Sequence, residues 1–154
     1  MVGFNLRDSG MEWVEIEIEQ LDSDLPLPQY MTRGSSGMDL YARRATTLFP
    51  RQIKLIPTGI KVGIPTGFEL QIRPRSGLAT QGVSVINSPG TIDPDYRGEI
   101  KVILINFGEK PYLIKRGDRV AQAVLCPVCY ARLRVVNQLR RSERSHQGFG
   151  HTGR

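Results

Sequence analysis

Cysteine is nearly absent from this sequence, and so are the patterns of long helices and membrane spans. The 154 residues include 2 cysteines, Cys126 and Cys129, in one Cys-Pro-Val-Cys. A single pair supplies at most two zinc ligands, and the 2 histidines, His146 and His151, would complete a site only by accident of folding. No βαβ pattern surrounds the pair, which disfavours a thioredoxin-like redox role. No apolar run approaches the roughly 20 residues of a membrane helix. The opening Met-Val-Gly-Phe-Asn-Leu-Arg-Asp lacks the apolar core of a secretory signal. A soluble cytoplasmic protein with no membrane partner is expected. Helical stripes and internal repeats are missing too, although Ser76 to Gln81 has room for one or two helical turns.

The composition that is present is globular: 40% hydrophobic and 23% charged, on a length that suits one domain with a proper core. The net charge of +6 is spread along the chain, with a looser cluster at Arg132, Arg134, Arg140, Arg141 and Arg144. That distribution fits a phosphorylated small ligand, a nucleic-acid surface or plain solubility; for the Arg132 to Arg144 stretch a solvated face is the favoured reading, and nucleic acid is not the expected partner.

The dominant period is two. Val14, Ile16 and Ile18 alternate with glutamates in Trp13 to Glu19, and Phe68, Leu70 and Ile72 alternate with polar residues up to Arg73. Shorter signals of the same kind lie at Gln52 to Ile56, Ile60 to Ile64, Lys101 to Asn106, Tyr112 to Lys115, Val120 to Cys126 and Ala131 to Val136. Pro-Thr-Gly and similar punctuation separates them. Many short strands with closely spaced turns predict an all-β sandwich or barrel, of which a jelly roll is one form. After about Leu139 the periodicity stops in a polar, Gly-rich tail.

Chemistry concentrates in the stretch from Asn87 to Glu99, a turn-rich connection between Val83, Val85, Ile86 and the apolar run from Ile100 to Ile105. It holds an amide (Asn87), two carboxylates (Asp93 and Asp95), a ring able to stack (Tyr96) and a fixed cation (Arg97). An ordinary loop would share its Pro, Gly and Asp content. Elsewhere, Arg75, Ser76 and Gly77 combine a guanidinium, a hydroxyl and backbone amides, the ingredients of an anion site. Gln122 is a polar residue in the otherwise apolar row of Val120 and Val124.

Five stretches together resemble the motifs of the trimeric dUTPase family in order and spacing. They are Gly37-Met38-Asp39-Leu40-Tyr41-Ala42, Pro74-Arg75-Ser76-Gly77-Leu78-Ala79, the loop from Gly82 to Glu99, Gly117-Asp118-Arg119-Val120-Ala121-Gln122, and Gly148-Phe149-Gly150-His151-Thr152-Gly153. The resemblance covers nearly the whole chain from Gly34 onward, and its weight lies in the series, since each piece alone is common.

The resemblance implies a Mg²⁺-dependent hydrolysis of dUTP to dUMP and pyrophosphate, removing dUTP from the nucleotide pool and supplying dUMP for thymidylate synthesis. In it Asp93 would be the water-activating base. Asn87 and backbone groups through Thr91 and Ile92 would read the uracil edge, and Tyr96 would pack on the deoxyribose where a 2′-hydroxyl would clash. Arg75, Ser76, Gly77 and Gln122 would hold the phosphate chain. From the tail, Arg144, Phe149, Gly150 and Thr152 would close over the nucleotide. Ser145, Gln147 and His151 depart from the family's usual residues there. Mg²⁺ would ride chiefly on the triphosphate, with Asp39 structural or an outer-shell contact. The implied fold is a distorted jelly roll of the β-clip type over residues 1–138, with a flexible C-terminal lid arm over 139–154. The implied assembly is a homotrimer with sites between subunits. A dCTP deaminase, alone or combined with dUTPase activity, shares the fold and is the alternative; a non-enzymatic binder would be expected to carry an added insert.

Overall fold

The computed structural model of the chain describes residues 13–143, 145 and 146. In chain order the elements are β1 (Glu17–Gln20), β2 (Met38–Tyr41), β3 (Thr46–Leu48), β4 (Ile53–Pro57), β5 (Ile60–Gly63), β6 (Phe68–Arg73), α1 (Ser76–Ala79), β7 (Val83–Val85), β8 (Gly90–Ile92), β9 (Lys101–Asn106), β10 (Tyr112–Ile114) and β11 (Arg119–Pro127). A four-stranded sheet in the order β2-β11-β6-β8 and a three-stranded sheet β4-β9-β7 form the two main layers. The pairs β1-β5 and β3-β10 are separate two-stranded sheets, and every strand pairing is antiparallel. This is the all-β, distorted jelly roll that the period-two pattern and the motif series led us to expect. No helix among the described residues is long and apolar enough to cross a membrane.

Alternation explains which faces meet. Leu70 and Ile72 of β6, with Ala121 and Ala123 of β11, bury against Val102 and Leu104 of β9 and Val83 and Val85 of β7 in one apolar cluster. Each row occupies every second position, so one pleated face is dry and the other carries Glu69, Gln71 and Arg73.

Asn106 is a polar exception inside this core. It is 1% exposed, and its amide nitrogen donates to the Leu48 carbonyl at 2.9 Å and the Lys110 carbonyl at 2.8 Å. Its side-chain oxygen accepts from the Gly108 N–H at 2.8 Å. Asn106→Leu would keep the volume and strand those three groups. Because two of the bonds reach partly wet surroundings, the expected loss is about 2 kcal/mol, read as a lowered urea midpoint at fixed protein concentration.

Three expectations change. Ala131 to Val136 has the alternation of a strand and forms none. Leu133 is 91% and Val135 96% exposed, because among the described residues no strand lies alongside to accept the pairing. Near the start, only Glu17–Gln20 is strand rather than the whole of Trp13 to Glu19, and all four of its residues are exposed. The loop from Asn87 to Glu99 contains β8, which leaves the sheet of its flanking strands and pairs with β6. The helix at Ser76 to Gln81 is one turn, Ser76–Ala79, followed by a bonded turn at Thr80 and Gln81. Cys126 and Cys129 are both free thiols.

Candidate active site

Asp39 organises the first half of the site. It lies on β2, 2% exposed, in register with Gln122 of β11. Its Oδ1 accepts from Arg75 Nε at 2.9 Å and its Oδ2 from an Arg119 terminal nitrogen at 3.2 Å. A buried carboxylate is tolerable only with such partners. Two guanidinia on one carboxylate leave an excess of one positive charge, and the Arg75 and Arg119 side chains remain 24% and 43% exposed. Arg75 also donates to the Arg119 carbonyl at 3.3 Å, so the two arginines are held as a unit.

They line a cleft of about 320 Å³ together with Gly77, Leu78, Gln81, Tyr112, Ile114, Asp118 and Val120. Ser76 and Gly77 sit exposed at the start of α1, whose Leu78 and Ala79 N–H groups donate to the Arg75 carbonyl. Gln122 is half-buried beside Gly37, where a Cβ would come within 3.2 Å of the Gln122 Cβ. Asp118, whose Oδ2 accepts from the Lys115 N–H at 2.7 Å, offsets the remaining charge of the lining, so what suits an anion here is the solvent-reaching guanidinium edges and small-residue backbone rather than net charge. Arg119 was not singled out from the sequence, although it stands in the Gly-Asp-Arg of the fourth motif. Its signal is visible only once β2 and β11 are paired.

The second half is the hairpin. Asn87 is exposed and lies over Gly90, where a Cβ would meet its side-chain nitrogen at 3.1 Å. Thr91 and Ile92 are on β8, opposite Gln71 and Leu70. Asp93 follows, exposed, and its carbonyl accepts from the Tyr96 N–H at 3.1 Å, closing a turn through Pro94 and Asp95. This turn makes Asp93 its first and Tyr96 its fourth residue, their backbones joined by one hydrogen bond. Arg97 folds back to donate to the carbonyls of Pro94 and Tyr96 at 2.5 and 2.9 Å, bracing the loop. Tyr96 is 42% exposed, and its hydroxyl donates to the Glu99 carbonyl at 3.0 Å. That pose requires Gly98, because a Cβ there would collide with the Tyr96 hydroxyl.

The two halves do not meet within one chain. Continuing the β6-β8 register past Leu70 and Ile92 sets Asp93 opposite Glu69, at the start of β6. At about 3.3 Å per residue, Arg73 at the other end is about 13 Å away, and Arg75 stands two residues beyond it. Asp39 and Thr91 are likewise at opposite edges of the sheet, three strand spacings or about 14 Å apart. The tail residues Arg144, Phe149, Gly150 and Thr152 lie outside the described residues.

A divalent cation finds a limited welcome among these groups. Both Asp39 oxygens are engaged by guanidinia and the carboxylate is buried, which leaves it no open face for a direct metal bond. The donor set fits a cation that arrives with its own phosphate ligands.

Comparison with known proteins gives consistent findings. A family model described as dUTPase matches residues 23–153. The deoxyuridine 5'-triphosphate nucleotidohydrolase of Caldanaerobacter subterraneus subsp. tengcongensis is 53% identical over 133 residues, covering 84% of this chain and 90% of that protein. The protein of the same name from Wolbachia sp. subsp. Brugia malayi is 53% identical over 148 residues, covering 92% and 95%. Among solved structures, the Staphylococcus bacteriophage 80alpha dUTPase with dUPNHPP superposes with a TM-score of 0.83 at 23% identity, over 90% of this chain and 98% of that one. The dUTPase of S. aureus phage phi11, in a variant described for its coordination of a structural Mg(II) ion, gives 0.74 at 20% identity, over 81% and 98%.

Proposed function

The chain belongs to the dUTPase family, and from that premise we propose that it hydrolyses dUTP to dUMP and pyrophosphate, with Asp93 as general base. Its expected compartment is the cytoplasm, where it removes dUTP and supplies dUMP. The observation that carries the assignment of the base is the closed turn at Asp93 to Tyr96. It closes Asp93 and Tyr96 into one turn through their backbones, braced by Arg97, so in this reading a sugar resting on Tyr96 brings its 5′-phosphate toward Asp93. A carboxylate in that position takes the proton of a water attacking the α-phosphate, while Arg75 and Arg119 meet the charge on the phosphate chain. Ser76, Gly77 and Gln122 line the same path. Asn87, Thr91 and Ile92 bound the base, where a buried polar edge accepts uracil and rejects a mispatterned base.

The working unit we propose is a homotrimer. The separation of Asp93 from Arg75 along β6 supports a site completed by another copy, because the base and the phosphate-binding guanidinium of one chain stand well apart on its sheet. Exposed Ile53 and Leu55 on the edge strand β4, and Leu133 and Val135 beyond β11, are apolar surface available for that contact. The arm over 139–154, with Arg144, Phe149, Gly150 and Thr152, is assigned the role of lid over the nucleotide. Mg²⁺, held by triphosphate oxygens and reached by Asp39 through water, would offset phosphate charge and orient the leaving pyrophosphate.

The test is pyrophosphate release from dUTP, dCTP, dTTP and UTP, each with Mg²⁺. Turnover of dUTP at least about 10²-fold above the other three is expected, the discrimination available to a site built on a polar base edge and a sugar-excluding ring. Ammonia from dCTP would assign the chain to the deaminase branch, and equal turnover of all four would remove the hairpin's role in selection.

A further inference from the structure

Glu99 is the one half-buried carboxylate at the C-terminal end of the hairpin, and the site as described leaves it without a task. Its side chain is 17% exposed. Oε1 accepts from the Gly59 N–H at 2.9 Å and lies 3.5 Å from an Arg43 terminal nitrogen. Gly59 has φ +75, and a Cβ there would press on Asp22 at 3.2 Å, so this amide reaches Glu99 only from a glycine backbone. Arg43 is in turn fixed on three sides. It donates to the Leu21 carbonyl at 3.1 Å, lies 3.5 Å from an Asp22 oxygen, and its backbone N–H donates to the Pro57 carbonyl at 2.8 Å.

The next residue is held as firmly. The Ile100 carbonyl accepts from the Thr58 N–H at 3.1 Å and from the Thr58 hydroxyl at 2.7 Å, and the Ile100 N–H donates to the Ile60 carbonyl at 2.9 Å. The chain is therefore pinned at Glu99 and Ile100 to the turn between β4 and β5. The Tyr96 hydroxyl rests on the carbonyl of this pinned Glu99. Tyr96 is thus tied at both ends, by its backbone to Asp93 and by its hydroxyl to Glu99, with Gly98 leaving room for the ring.

We propose that Glu99, clamped by Gly59 and Arg43, is a positioning residue that sets the Tyr96 ring and thereby the discrimination between deoxyribo- and ribonucleotides. The inference rests on the reading of Tyr96 as the sugar-facing ring. A 2′-hydroxyl adds one oxygen, so a wall must be fixed to within a fraction of that oxygen's size to exclude it. A tyrosine that is half exposed and held only by its backbone would yield. A purely structural Glu99 would lower stability and affect both sugars alike.

The experiment measures kcat/KM for dUTP and UTP in the wild type, Glu99→Ala, Glu99→Gln and Gly98→Ala, with circular dichroism and elution volume as checks of folding. Glu99→Ala is expected to lower the dUTP-to-UTP ratio about tenfold, and Gly98→Ala, which drives a Cβ into the ring, by at least as much. Glu99→Gln keeps an oxygen for the Gly59 N–H and should hold the ratio within about threefold of wild type. A folded Glu99→Ala with the wild-type ratio, or with both nucleotides reduced in equal proportion, overturns the proposal while leaving the dUTPase reading intact. If Glu99→Ala does not fold, Arg43→Gln carries the same test, with about a threefold fall expected and an unchanged ratio contradictory. A wild type that turns over dUTP and UTP equally overturns both the proposal and the reading of Tyr96.

Discussion

Asp93→Asn is expected to lower dUTP turnover by about 10²–10⁴-fold, the range a general base contributes, while leaving nucleotide binding within about threefold. Asn is isosteric and retains an acceptor oxygen, and the turn at Asp93 uses only the backbone carbonyl, so the loop should keep its shape. What is lost is the ability to take a proton. Steady-state turnover, with the affinity of a non-hydrolysable dUTP analogue measured beside it, separates the two effects. A loss of binding as large as the loss of turnover would place Asp93 in substrate recognition, and an active variant would remove it from the chemistry.

Asp39→Ala is expected to lower stability by about 3 kcal/mol and to raise the KM for dUTP about tenfold or more. The carboxylate is buried and satisfies two guanidinia at 2.9 and 3.2 Å, so its removal sets two positive charges against each other. The cost stays at the lower end for a broken buried pair because both arginines reach solvent. Their freed positions are no longer those that suit a phosphate chain. Denaturant unfolding at fixed protein concentration reads the first effect and steady-state kinetics the second. Asp39→Asn, which can still accept one N–H, should fall between wild type and Asp39→Ala in both. A stable Asp39→Ala with unchanged KM would show that Arg75 and Arg119 are positioned by something else.

The strands that could be read from the sequence are those whose alternation runs for several residues in the presence of a partner. Phe68–Arg73 is the clearest, with Leu70 and Ile72 buried where the pattern put them. Met38–Tyr41, Thr46–Leu48 and Gly90–Ile92 are three or four residues long and set among Gly, Ser and Thr, too short for a period to declare itself. Ala131 to Val136 shows the opposite failure, since its alternation is real but a strand also needs a neighbour.

The site divides in the same way. Asp93 and Tyr96 could be singled out because motif and loop chemistry coincide within a few residues. Arg119 could not, because its significance arises from pairing with Asp39, eighty positions away along the chain. Glu99 is similar: nothing in Arg-Gly-Glu announces that its carboxylate will close on Gly59 and Arg43, since these contacts depend on how the β4–β5 turn and the β2–β3 connection pack against the hairpin.

The most direct measurement is the identity of the products, followed by phosphorus NMR during turnover of dUTP with Mg²⁺. Equal amounts of dUMP and pyrophosphate, with no orthophosphate, are expected from water attack at the α-phosphate. Orthophosphate with dUDP would place the cleavage at the γ-phosphate, and unchanged dUTP would leave a nucleotide-shaped surface without chemistry; either result would contradict hydrolysis of the α,β bond by Asp93.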